Sequence, residues 1–206
     1  VQDEVEVIMN LVMTDSATRQ FVQSEQDDKV DNYTLFLLLN NLRACYPFLS
    51  DISVVNLKND TAVHAMGSET IRDPESSAFV RSSAENGKYV GGRTLIHAGK
   101  VQYVVSFVQI LPYYNSAVLV DVESLWLSAN LGTERRAVYI IDAAGSPISE
   151  NTRAYADENI AEELFDMVTN AGSQNVYVDS KAQQLYFFEF SERLGWWFID
   201  LQDYSS

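Results

Sequence analysis

The same succession of segments occurs twice in this chain, and that duplication limits the folds open to it more than any other feature. Ser53-Val54-Val55-Asn56-Leu57, a turn and Thr61-Ala62-Val63 are answered by Val138-Tyr139-Ile140-Ile141-Asp142, a turn and Ser146-Pro147-Ile148. Val101-Gln102-Tyr103-Val104-Val105-Ser106-Phe107 is answered by Gln184-Leu185-Tyr186-Phe187-Phe188-Glu189-Phe190, with Tyr103 and Tyr186 83 residues apart. Val118-Leu119-Val120-Asp121-Val122 returns as Trp197-Phe198-Ile199-Asp200-Leu201, at a spacing of 79 because the second turn is shorter. Three matched blocks in one order predict two copies of a single module. Each copy is a hairpin, a helical crossover and a three-stranded antiparallel meander.

The segment before the first copy is of another kind. No Gly or Pro interrupts residues 1–45, and Val5, Ile8, Met9 and Val12 recur at helical spacing. Thr14-Asp15-Ser16 is a helix-capping sequence that predicts a short second helix carrying Phe21 and Val22. A further helix places Val30, Tyr33, Leu37, Leu38, Leu42 and Cys45 on one face and stops before Pro47. Between the copies, Glu123 to Leu131 reads as a short helix closed by Gly132. Asp157 starts the helix with Ile160, Leu164, Met167 and Val168, which Gly172 ends. The polar stretch Gly67 to Arg93 has no sustained period and reads as a covering loop with short helices, followed by a strand at Thr94 to His97.

Charge and cysteine content remove several classes of function. A net charge of −15 opposes phosphate backbones and anionic headgroups, so this segment is expected to bind no nucleic acid. Cys45 is the single cysteine, which excludes an intrachain disulfide and a four-cysteine metal site. No apolar run approaches the ~18 residues of a membrane span. The chain opens in mid-pattern at Val1-Gln2-Asp3-Glu4 without an initiator Met, and reads as a segment of a longer protein.

The twofold order of hairpin, crossover and meander is the organisation of a PAS-like sheet, and two such sheets behind an N-terminal helix resemble the double Cache (dCache) domain. Cys45-Tyr46-Pro47-Phe48-Leu49-Ser50-Asp51-Ile52 is similar to the family's lead into its first sheet. Val138 to Gly145 resembles the opening hairpin of its second, and Gly195-Trp196-Trp197-Phe198-Ile199 its final strand. Among relatives, the chain looks most like sensors of Gram-positive histidine kinases and membrane-anchored AraC-type regulators. The resemblance implies an α+β fold: a long helical stalk over 1–45, a membrane-distal PAS-like domain over 46–122, and a linker helix with a membrane-proximal PAS-like domain over 123–206. It further implies an extracellular position, membrane spans flanking the segment in the full-length protein, a small-molecule ligand and a cytoplasmic output domain. The stripe Val5, Ile8, Met9 and Val12 suits either a homodimer through the N-terminal helix or packing on the protein's own sheets.

Residues for chemistry are sparse. His64 and His97 lie on strand patterns without HExxH or a Cys/His cluster, no Gly-x-Ser-x-Gly elbow occurs, and no enzyme, cofactor or metal site is expected. Gly87-Lys88-Tyr89-Val90-Gly91-Gly92-Arg93-Thr94 has phosphate-loop spacing with Arg for Lys, but Leu95-Ile96-His97 after it reads as strand where a helix N-terminus is needed. Binding is better provided for. In the covering segment, Arg72, Arg81 and Arg93 are candidates to pair with a ligand carboxylate and Tyr89 to supply a wall or hydroxyl, while Tyr103 and Gln109 offer polar groups from the sheet. The amino-acid-sensing subfamily carries a Tyr, Arg, Trp-Tyr and Asp signature here, yet no Trp lies between Asp51 and Pro112, so that signature does not transfer. Two rival expectations are a module that receives a partner protein and a secreted hydrolase of unfamiliar type.

Overall fold

The computed structural model describes residues 1–24, 32–67, 70–83, 88–97, 100–124, 126–127, 137–148, 160–171, 174–192 and 194–204. The chain divides into two compact units, Val1–Val90 with Ser106–Val122 and Gly91–Val105 with Glu123–Ser206.

Three helices open the first unit: α1 (Gln2–Thr14), α2 (Ser16–Gln23) and α3 (Tyr33–Cys45). The break between α1 and α2 is local chemistry. Asp15 adopts extended backbone, and its carboxylate accepts the Ala17 amide at 2.7 Å as the cap of α2. Val5, Ile8, Met9 and Val12 are buried, and α1 packs against α2 and α3. The stripe is thus buried within the chain, and α2 and α3 are among the elements that α1 packs on. On α3 the expected face is displaced. Leu35 and Leu39 are buried whereas Tyr33, Leu37 and Cys45 are exposed. The run Leu35–Leu39 offers apolar residues to several faces, and packing of α3 on the sheet selects one of them. Val30 lies outside the described residues.

A six-stranded sheet follows, made of β1 (Leu49–Asn56), β2 (Thr61–His64), β3 (Ile71–Arg72), β4 (Lys88–His97), β5 (Lys100–Leu111) and β6 (Ser116–Glu123) in the order β3-β2-β1-β6-β5-β4. All eight residues of β1 are buried, because α2 and α3 pack on it from one side and α4 (Pro74–Ser83) from the other. The α4-side core holds Val55, Leu57, Ala62, Val80, Val108, Ala117 and Leu119. The covering stretch contains a short helix as expected, the ten-residue α4. It differs from the sequence reading in that β4 begins at Lys88 rather than Thr94, so that Gly91-Gly92 lies inside a strand. A Cβ on Gly92 would sit 2.0 Å from the Tyr103 hydroxyl oxygen, which is why glycine stands there. From Lys88 to Thr94 the phosphate-loop spacing accordingly falls on extended strand.

The second unit repeats the topology. Strands β7 (Ala137–Asp142), β8 (Val176–Asp179), β9 (Gln184–Ser191) and β10 (Trp196–Asp203) form an antiparallel sheet in the order β7-β10-β9-β8. This matches β1-β6-β5-β4 strand for strand. Among the described residues, the partner of β7 across the first hairpin is the single bridge of Ile141 to Pro147. The Asp142 carboxylate shapes that turn by accepting the amides of Ala144 and Ser146, both at 2.8 Å. Helix α5 (Ile160–Ala171) lays Leu164 and Val168 on Tyr139, Ile141, Phe188 and Ile199. Ser124, Trp126 and Leu127 are helical at the start of the expected linker helix, while residues 125 and 128–136, with Asp157 and Gly172, lie outside the described residues. No helix among the described residues is long and apolar enough to cross a membrane.

Candidate functional site

The first unit concentrates buried polar side chains between α4 and its sheet. Alternation along a strand puts Asp51, Ser53 and Val55 on one face of β1, and Val55 identifies it as the α4 side. Cross-strand register brings Asp121 opposite Asp51, with Leu119 and His64 opposite Ser53. The Ser106 hydroxyl donates to the Asp121 carboxylate, and both residues are fully buried. The facing helix is polar as well: Ser76, Ser77, Val80 and Ser83 form its buried side. At the corresponding helix–sheet contact of the second unit, the buried side chains among the described residues are Leu, Val, Ile, Phe and Tyr. Burying hydroxyls and carboxylates adds nothing to folding that the same module's apolar version does not supply better. The contrast between two copies of one module makes the first interface the candidate site.

His64 organises one end of it. Its Nδ1 lies 2.8 Å from Asp51 Oδ2 and its Nε2 3.0 Å from Asp73 Oδ2. A ring with a carboxylate at each nitrogen donates from both and is therefore the cation. Burial alone would push its pKa down. The hydrogen bonds to Asp51 and Asp73, followed by the two negative charges, outweigh burial and raise it from 6.5 to about 9. Asp73 serves two structures at once. Its Oδ1 accepts the Ser76 amide at 2.9 Å, capping α4 with Pro74 in the first helical position. Burial opposes ionisation of Asp73, but the bonds from His64 and Ser76 hold its carboxyl well below the usual range. One imidazolium thus ties β1 and β2 to the start of the covering helix. At the other end of α4, Arg81 donates to the Leu57 carbonyl at 2.8 Å and to Asp60 at 2.6 Å. The bond from Arg81 lowers the pKa of Asp60.

The six residues singled out from sequence are distributed between the two units. Arg72 is exposed on β3, a two-residue strand at one edge of the sheet. Arg81 is engaged by Leu57 and Asp60 as described. Gln109 lies on the face of β5 opposite Val108 and Ile110, away from α4, and its amide donates to the Ile110 carbonyl at 3.2 Å. Arg93 and Tyr103 belong to the second unit, where the Tyr103 hydroxyl donates to the Pro147 carbonyl at 2.8 Å. Tyr89 is on β4, and its side chain lies outside the described residues, as does that of His97. What the structure brings together instead is Asp51, His64 and Asp73, with Ser53, Ser106 and Asp121 beside Asp51 on the sheet. The signal available in sequence was the presence of Asp51, Ser53, His64, Ser106 and Asp121 at positions that strand periodicity assigns to a buried sheet.

No known family pattern matches the chain, and no curated protein sequence does either. Solved structures do. The extracellular domain of the histidine kinase vpHK1S-Z8 superposes with a TM-score of 0.64 at 13% identity, covering 98% of this chain and 87% of its own. The fold is that of tandem PAS-like Cache sensor domains. The sensory domain of the Campylobacter jejuni chemoreceptor Tlp3 gives 0.59 at 13% identity, over 98% and 91% of the two chains. The ligand-binding domain of Mlp24 with asparagine gives 0.58 at 16% identity, over 98% and 85%. The Cache fold of this chain is therefore shared, end to end, with extracellular domains of histidine kinases and chemoreceptors.

Proposed function

We propose that this chain is the extracellular sensing region of a bacterial membrane receptor, and that a small solute binds between α4 and the sheet of the first unit. The observation that carries the reading is the set of buried hydroxyls and carboxylates beside the apolar core of the α4–sheet interface, where the other copy of the module buries apolar side chains. The fold supports it, since the chain shares nearly its whole length with sensor and ligand-binding domains. A solute that binds better with α4 in one position shifts the population toward that position. The His64 bridge makes α4 and the β1–β2 hairpin respond together, and the change passes through the second unit toward a cytoplasmic output domain.

The test is a melting-temperature screen of small solutes against the wild-type chain and a Ser77→Leu variant. Ser77 is fully buried on α4 and is not a member of the His64 bridge, so leucine there fills the interface while leaving Asp51, His64 and Asp73 in the sequence. At least one solute at a hundredfold excess over its dissociation constant is expected to stabilise the wild type by about 3 kcal/mol. The variant is expected to lose that response while remaining folded. A screen without any stabilising solute, or a response that survives Ser77→Leu, overturns the proposal.

A further inference from the structure

On the basis of that sensing reading, we propose that the ligand presents a protonated primary amine to Asp51 and Ser53 of β1. Asp51 is almost fully buried, and it spends only one oxygen on His64: Oδ1 is buried without a hydrogen-bond partner. Two residues along the same face, the fully buried Ser53 hydroxyl likewise has none. Polar atoms in such positions are usually satisfied, and two of them side by side, an anionic acceptor and a hydroxyl, call for a donor. An ammonium group carries three donors and no acceptor, so it can serve Asp51 Oδ1 and Ser53 Oγ together.

Charge favours the same choice. Asp51 and Asp73 share a single imidazolium, His64, while Asp121 lies opposite Asp51 on the next strand, and the one guanidinium on α4 is engaged with Asp60 and Leu57. An incoming cation reduces that excess of negative charge, whereas a carboxylate adds to it. A metal ion is a poorer fit. Both His64 nitrogens are taken by carboxylates, and the described residues hold no group of three His, Cys, Asp or Glu side chains arranged to bind one. An amine on Oδ1 would also draw on the carboxylate that holds His64, which links occupancy to the tie between the sheet and the cap of α4.

The experiment titrates n-butylammonium, butyrate and n-butanol into the chain at pH 7, read by ligand-observed NMR. Butylammonium is expected to bind roughly tenfold or more tightly than n-butanol, with butyrate not binding. Asp51→Asn should weaken butylammonium by a further roughly tenfold or more. Asp51→Asn also loosens His64, so Ser53→Ala, which leaves the His64 bridge intact, is the variant that decides if the first does not fold. It should weaken butylammonium several-fold with an unchanged circular dichroism spectrum. The proposal is overturned if butylammonium does not bind by about 50 mM, if butyrate or n-butanol binds as tightly as butylammonium, or if folded variants bind like wild type. Binding of butyrate or n-butanol that Ser77→Leu abolishes would leave the sensing reading standing and remove the amine alone.

Discussion

Raising the pH from 6.5 to 10 should loosen the first unit by releasing the proton of His64. Its folded pKa is raised, so the stabilisation is complete below 6.5, declines through the interval and is gone once the pH has passed about 9. Every tenfold gain in proton affinity on folding is worth about 1.4 kcal/mol, which makes about 3 kcal/mol the ceiling for this residue. The side chain is only 17% exposed, so solvent screening removes little of it. For a chain of this length, that corresponds to a fall in melting temperature of roughly 6–12 °C across the interval. The assay is thermal unfolding at pH 6, 7, 8, 9 and 10, followed by circular dichroism and by tryptophan fluorescence. Trp126, Trp196 and Trp197 are the three tryptophans and all belong to the second unit, so fluorescence provides an internal comparison. The pH-dependent loss should appear in the dichroism transition and be absent from a His64→Gln variant. Equal slopes in wild type and variant between pH 6.5 and 9, or a wild type that gains stability as pH rises, would refute the argument.

Two further substitutions separate the roles of neighbouring groups. Asp73→Ser keeps an oxygen to cap α4 but removes the second carboxylate from His64, so it should cost less than Asp73→Ala by about 1 kcal/mol in urea unfolding, while both variants flatten the alkaline pH dependence. Gly145→Val should destabilise the second unit by roughly 1–3 kcal/mol, seen as an earlier tryptophan transition, because Gly145 sits at φ +86° and a Cβ there would lie 2.8 Å from the Phe165 ring.

Much of the architecture was legible because it rests on local pattern. The Asp15 cap, the Asp142 turn and the alternation of the meander strands depend on neighbours a few residues away. The repeat then gave the topology, since two modules with one order of elements form sheets with one order of strands. Three features were not legible for equally physical reasons. Gly92 read as the end of the covering loop because the tyrosine that a Cβ there would meet comes from the next strand. The buried face of α3 is one of several that Leu35–Leu39 make available. The arginines of the covering stretch looked like ligand contacts because Asp60 and Leu57, the partners that occupy Arg81, lie 21 and 24 residues away.

By itself, the order of residues determined the kinds of element, their succession and the doubling of the module, because periodicity, caps and turns act within a few positions. The tertiary structure decided which polar groups meet. Asp51, His64 and Asp73 come together only when β1 and β2 pair in one register and α4 starts beside them. A slip of one residue in that register would turn His64 to the opposite face of the sheet and dissolve the site without altering a single local preference.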